Sequence, residues 1–205
     1  MYWATPLFII RLYKSLIWHG KRDKKVIYLT FDDGPTPLIT KKVLDILDGF
    51  GAKATFFCLG RNVERNPELC IEILNKGHTI GNHSYSHLKG WRTPVKEYVR
   101  DVELAAQLID SKLFRPPYGR IRQLQSKILI KRYRIIMWDV LSHDYNQKLP
   151  AKMCLRNVIR STKNGSIVVF HDSVKASKNL FEVLPKFLEH FINVGYSFKP
   201  IQDNI

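Results

Sequence analysis

Two acidic residues and two histidines, distant in the chain, carry the chemistry that can be read here. Asp32 and Asp33 lie in Thr30-Phe31-Asp32-Asp33-Gly34-Pro35, and the imidazoles in His83-Ser84-Tyr85-Ser86-His87. Two histidines at i and i+4 can face one way from a single helical turn and grip one metal ion. A carboxylate from Asp33 completes three ligands and leaves one coordination position open. Asp32 then stands free to take a proton from water, which is the minimal equipment of a metal-assisted hydrolase. The metalloprotease pattern keeps its base between the two histidines. Here Ser84, Tyr85 and Ser86 intervene, so the base must come from elsewhere in the chain. The mixed nitrogen and oxygen donors suit Zn2+, with Co2+, Ni2+ or Mn2+ as alternatives.

These residues need elements to deliver them. The run Val26 to Phe31 reads as a buried strand, and Ala54 to Cys58 and Thr79 to Gly81 as two more. Ile39, Val43, Ile46, Leu47 and Phe50 recur at helical spacing, with Thr36-Pro37 as a start signal and Gly51 as a stop. Asn66-Pro67 and Thr93-Pro94 open two further helices. Leu113 to Arg115, Ile135 to Val140, Ser166 to His171 and Tyr196 to Lys199 read as strands. Gln123 to Tyr133, Ala151 to Ser161 and Phe181 to Phe191 read as helices. Such alternation with apolar strands predicts a parallel sheet covered by helices. The polar motifs fall at the C-terminal ends of strands, where a parallel barrel gathers its active site.

Three more segments begin apolar and end in polar or turn chemistry. They are Phe114-Arg115-Pro116-Pro117-Tyr118-Gly119, Trp138-Asp139-Val140-Leu141-Ser142-His143-Asp144-Tyr145 and Ile167-Val168-Val169-Phe170-His171-Asp172. Together with the first two motifs they resemble the polysaccharide deacetylase family, the NodB-homology domain of carbohydrate esterase family 4. The resemblance runs from about Val26 to the C-terminus. It implies a single-domain distorted (β/α) barrel of about seven parallel strands, an α/β fold of TIM-barrel type. It implies removal of N-acetyl groups from N-acetylglucosamine-type residues of a polysaccharide or oligosaccharide, peptidoglycan or chitin-like. In that frame Asp33, His83 and His87 hold the metal and Asp32 is the general base, oriented by Arg115. His171 is the general acid, and the backbone N–H of Tyr118 faces the oxyanion from a turn stiffened by Pro116 and Pro117.

The chain departs from the family pattern after Asp139. Leu141 stands where an aspartate is usual, and Asp144-Tyr145 replaces an Asp-Trp pair. The carboxylate that tunes His171 is therefore either Asp139 or Asp144. Ile167 and Val169 alternate on one strand face and either line a pocket for the acetyl methyl or fill the barrel. Trp138 either walls the sugar site or is buried. A deformylase or deacylase of a lipid-linked or other small amide, and a catalytically silent carbohydrate-binding barrel, are the rival readings.

With 205 residues there is material for one domain and a substantial core. Thirty-three basic against 18 acidic residues give a formal charge of +15, favouring acidic partners: anionic glycans, membrane surfaces or nucleic acid. The cations are scattered and no nucleic-acid motif accompanies them, so no nucleic acid is expected. Cys58, Cys70 and Cys154 have no metal or redox spacing, and Cys58 is expected in the core. Residues 1–25 form an apolar and basic segment before the catalytic domain of 26–205. Within it, 7–18 could form an amphipathic helix that packs on the domain or touches a membrane peripherally. No signal peptide is recognisable, so a cytoplasmic or membrane-associated location is expected. The oligomeric state is left open.

Overall fold

The computed structural model describes residues 3–202. Its elements alternate along the chain. The order is α1 (Leu7–Leu12), β1 (Val26–Asp32), α2 (Ile39–Gly49), β2 (Ala54–Cys58), α3 (Gly60–Arg65), α4 (Pro67–Asn75), β3 (Thr79–Asn82) and α5 (Val95–Ala106). There follow β4 (Leu113–Phe114), α6 (Gln123–Leu129), β5 (Arg134–Ile135), β6 (Val140–Leu141), α7 (Ala151–Ser161), β7 (Ile167–His171), α8 (Ser177–Asn193) and β8 (Ser197–Phe198). The strands run in the order β5-β4-β3-β2-β1-β7-β6, with the short β8 beside the start of β1. Every strand pair is parallel. Seven parallel strands thus form a half-barrel with helices outside.

Side-chain alternation sorts each strand between two environments. Leu29 and Phe31 of β1, Phe56 of β2, and Val168 and Phe170 of β7 enter the large core beneath the helices, where Phe31 and Phe56 stack at 5.0 Å. The long α8 seals that core with Leu180, Val183, Leu184, Phe187, Leu188 and Phe191. Burial of each such side chain is worth about 1.5–3 kcal/mol. The opposite parity points inside the barrel. There Phe57, Leu113, Ile136, Ile167 and Ile201 form the floor. The last residues of that same parity, Asp32 on β1 and His171 on β7, are register partners. Hence two distant motifs open side by side at the top of the barrel.

The barrel is not closed between β5 and β6. The expected strand Ile135 to Val140 is interrupted there, because the carbonyls of Ile136 and Met137 accept hydrogen bonds from the Arg115 side chain instead of a neighbouring strand. The N-terminal segment covers the gap. Ile17 bridges to Ile136 and Ala4 to Val140, and Leu16 and Trp18 are buried with Leu129, Tyr133 and Ile135. Helix α1 packs Ile9 and Ile10 on that cluster and leaves Leu7, Phe8 and Leu12 in solvent. No helix among the described residues is long and apolar enough to cross a membrane.

Other expectations shift locally. Thr36 does not cap α2: Leu38 takes a positive φ of 65° before the helix, and the Thr36 N–H donates to Thr40 Oγ1. Thr93 Oγ1 donates to the Lys89 carbonyl, leaving Pro94 at the start of α5. Helix α6 ends at Leu129, short of Tyr133, and α3 forms where no helix was expected. Cys58, Cys70 and Cys154 are all buried free thiols.

Candidate active site

Asp32 is paired with Arg115. That guanidinium is fully buried and its Nη1 donates to Asp32 Oδ1 and to Thr30 Oγ1, each at 2.7 Å. Its Nε and Nη2 reach the Ile136 and Met137 carbonyls, and its plane lies 4.1 Å from the Phe57 ring centroid. Burial pulls its pKa down while Asp32 opposes that fall. A fork with several fixed donors is what only arginine supplies.

Neighbouring residues of a strand point to opposite faces, yet Asp32 and Asp33 share one cleft. Asp33 has a φ of 79°, which turns the chain, and Asn62 Nδ2 donates to its carbonyl at 2.8 Å.

The histidine pair does not sit on a helical turn, contrary to the expected i,i+4 geometry. His83 follows β3 and the chain then bends through Ser84 (φ 65°) and His87 (φ 62°). Asn82 Oδ1 accepts the Ser84 N–H, Ser84 Oγ accepts the His87 N–H, and the Asp101 carboxylate accepts the N–H groups of Tyr85 and Ser86. The loop, held by side chains, does what a helix was expected to do. Asp101 was missed, although it sits on the buried stripe of α5 between Tyr98 and Val102. A carboxylate on an apolar face is the signal that could have found it.

The three donors converge. Asp33 Oδ1 lies 3.7 Å from His83 Nε2 and 3.2 Å from His87 Nε2, and all three ligand atoms lie within 4.8 Å of one another. Ligands at about 2.1 Å from a tetrahedral ion would be separated by roughly 3.4 Å. His83 Nδ1 faces the Arg115 carbonyl at 2.8 Å. A carbonyl only accepts, so Nδ1 carries the hydrogen and Nε2 offers its lone pair to the cleft. Burial lowers the His83 pKa to about 4 against the pull of Asp32, so the ring is neutral as a ligand must be. Burial alone would raise the Asp33 pKa, but the hydrogen bond to His87 and the three nearby histidines hold it below the ordinary carboxylate range. The donor set therefore fits a divalent cation.

Across the cleft, Asp144 Oδ1 meets His171 Nδ1 at 2.7 Å and its Oδ2 accepts the His171 N–H at 2.8 Å. Burial would lower the His171 pKa. The Asp144 charge and hydrogen bond, with Asp33 and Asp32 behind them, raise it to about 9. Asp139 is not the partner. Its carboxylate accepts from the Ile167 N–H, from Ser166 Oγ and from Arg22, at the far end of β7. Ile167 likewise belongs to the barrel floor, whereas Val169, Leu141 and Trp138 line the cleft. His143 is buried, with its Nδ1 3.1 Å from the Tyr145 hydroxyl and its ring on Trp3. Asp172, the neighbour that a purely structural His171 would have bonded, pairs with Thr40 instead. It is fully buried, accepts from Thr40 Oγ1 at 2.6 Å, and burial raises its pKa to about 7.

Another part of the lining comes from the Arg-Pro-Pro-Tyr-Gly turn. Pro117 is buried, Tyr118 has a φ of 59° and its ring lies 4.5 Å from that of His87. Gly119 has a φ of 64°, and a Cβ there would stand 2.6 Å from the Trp138 ring, so only glycine lets Trp138 approach. The cavity enclosed by these groups has a volume of about 740 Å³. It brings together three donors that could hold a cation, one paired carboxylate and one paired imidazole.

Residues 19–131 match the family model described as polysaccharide deacetylase. The chain is 32% identical over 199 residues to a peptidoglycan-N-acetylglucosamine deacetylase of Bacillus cereus, with 91% of each chain covered. Other curated relatives are longer; the chain spans 36% of one that is 34% identical over 173 residues. A solved peptidoglycan N-acetylglucosamine deacetylase, in complex with 4-naphthalen-1-yl-N-oxidanyl-benzamide, gives a TM-score of 0.86 at 30% identity. The comparison covers 98% of this chain and 97% of that one. A pseudoenzyme of carbohydrate esterase family 4 from Bacillus anthracis gives 0.81 at 26% identity, over 92% of this chain and 68% of its own. The backbone is thus compatible with active and inactive relatives, and the side chains must decide.

Proposed function

The chain belongs to the polysaccharide deacetylase family, and on that premise we propose that it hydrolyses the N-acetyl group of an N-acetylglucosamine-type residue in a glycan of the peptidoglycan kind. The observation that carries this reading is the convergence of Asp33, His83 and His87 beside the separately paired Asp32. A silent carbohydrate-binding barrel would be expected to lack a ligand or the base, and neither is missing.

Asp33, His83 and His87 would hold the divalent ion, Zn2+ or one of Co2+, Ni2+ and Mn2+, which when bound polarises the amide carbonyl and lowers the pKa of water. Asp32, oriented by Arg115, takes the proton of the attacking water. The backbone N–H of Tyr118, aimed by the stiff Pro116-Pro117 turn, donates to the developing oxyanion. His171 gives its proton to the nitrogen as the carbon–nitrogen bond breaks, leaving acetate and a free amine. Asp144 keeps that imidazole charged and oriented. Val169, Leu141 and Trp138 wall the space for the acetyl methyl.

Acetate release from a panel of acetylated glycans, with chelator and with zinc restored, tests the reading. Release is expected from the untreated protein, lost with chelator and regained with zinc. Equal release in chelator would remove the cation from the reaction. One observation favours a second reading, deacylation of a lipid-linked amino sugar at a membrane: α1 exposes Leu7, Phe8 and Leu12 beside Arg11 and Lys14. A lipid-linked member of the panel, presented in vesicles, separates the two by relative rate.

The His171–Asp144 pair gives a pH signature. The folded pKa of about 9 lies above the ordinary 6.5, so the acid form persists through neutrality and is lost as pH rises through about 9. In Asp144→Asn the largest raising cause is gone while burial and the weaker pull of Asp33 and Asp32 remain, so the alkaline limb should fall from about 9 towards 6.5. At pH 8 the protonated fraction, and with it kcat, should drop by up to roughly 30-fold, the figure for a limb at 6.5, with a much smaller loss at pH 6. A loss of equal size at both pH values would show that Asp144 does not act by holding the proton.

A further inference from the structure

We propose that the cleft selects an amino-sugar polymer that carries carboxylate groups, and that Arg61, Lys89, Arg120 and Lys175 read those charges beside the reacting sugar. The inference rests on the deacetylase reading of the cleft and adds which glycans it prefers. These four exposed cations come from four separate loop or helix segments around the mouth, after β2, β3, β4 and β7. Among the described residues, the only carboxylates lining the cavity are Asp32 and Asp33, one paired with Arg115 and the other among the histidines. No ion pair joins any of the four to a carboxylate among the described residues.

Aromatic faces hold three of them in place. Lys89 Nζ lies 5.2 Å from the Tyr118 ring centroid, the Arg120 guanidinium 5.1 Å from that of Trp91, and Lys175 Nζ 5.6 Å from that of Tyr145. A cation steadied on a ring keeps its N–H groups for another acceptor. Trp91 and Tyr118 are themselves more than half exposed or close to it, at 55% and 50%. They offer flat apolar surfaces beside the charges, which suits a sugar ring with a pendant carboxylate. The cavity at the opposite end of the barrel differs: Lys21, Lys24, Lys112 and Lys199 there are mixed with Asp23 and Asp110. Charge of one sign in a concave mouth focuses the field and raises the local concentration of an oppositely charged substrate.

The test compares a β-linked N-acetylated oligosaccharide bearing free carboxylates with the same oligosaccharide after its carboxylates are converted to neutral methylamides, using the zinc-loaded full chain. At low ionic strength kcat/KM should favour the carboxylated form about tenfold, the sum of several exposed pairs. The preference should vanish near 1 M salt, where the screening length is about 3 Å. Lys89→Gln with Lys175→Gln should bring the ratio towards one. Lys21→Gln with Lys24→Gln, which removes equal charge at the other end, should leave the ratio as in the parent. Equal kcat/KM for both oligosaccharides overturns the inference while leaving deacetylation intact. So does a preference lost equally in both double variants, which would assign it to total charge. No acetate from either oligosaccharide, with zinc bound, sinks the deacetylase reading and the inference with it.

Discussion

Asp32→Asn is expected to lower acetate release by roughly two to four orders of magnitude, the usual range for loss of a general base. The change keeps the shape of the side chain. Its oxygen can still accept from Arg115 Nη1, now 2.7 Å from Asp32 Oδ1, and Arg115 keeps its bonds to Thr30, Ile136 and Met137. What is removed is the capacity to take a proton. Zinc content should be unchanged, because the converging donors belong to Asp33, His83 and His87. The decisive pair of measurements is therefore bound zinc and turnover on the same sample. Full zinc with lost turnover places Asp32 in the proton transfer. Full zinc with parental turnover removes it from the chemistry, and lost zinc would make it part of the cation site.

The barrel was readable because its strands are buried on both faces. Runs such as Val26 to Phe31 and Ile167 to Phe170 have no polar alternation to blur them. The same directness failed between Ile135 and Val140. An apolar run there looks like one strand, but Arg115, some twenty residues earlier, takes two of its carbonyls. No local pattern reports a hydrogen bond supplied from another loop. The mistaken helix for His83 and His87 has a similar origin. Their spacing is helical, yet Asn82, Ser84 and Asp101 offer the backbone side-chain partners, and such residues favour turns over helix interiors.

The choice between Asp139 and Asp144 shows the limit of strand-face arithmetic. Asp139 and residue 141 share a face only if the strand is continuous, and it begins at Val140. Asp139 is instead spent on Arg22, Ser166 and the start of β7. Asp144 reaches His171 from the loop beyond β6, with Asn179 Nδ2 donating to the carbonyls of Asp144, Asn146 and Leu149 to hold that loop. The acidic motif and the paired histidines were legible as residue types. Of the tertiary partners that aim them, Arg115 was legible and Asp144 was one of two choices, whereas Asp101, a carboxylate on the buried stripe of α5, was not.

Arg115→Met tests the most deeply buried of these partnerships. The replacement fits the volume along the Phe57 ring but provides no donors. It leaves the carboxylate of Asp32, only 4% exposed, without its cation, and strands the Ile136 and Met137 carbonyls. Breaking a buried ion pair by removing one partner costs about 3–5 kcal/mol. For a chain of this size that corresponds to a fall in melting temperature of roughly 10 °C. Turnover should fall with it, because nothing else holds the Asp32 oxygen towards the cleft. Arg115→Lys separates charge from geometry: one ammonium can restore the pairing with Asp32 but cannot also span Thr30 and two carbonyls. It should recover part of the stability and less of the turnover. Parental stability and rate in Arg115→Met would mean that Asp32 is positioned by the strand alone. The buried guanidinium would then be only a plug in the open side of the barrel.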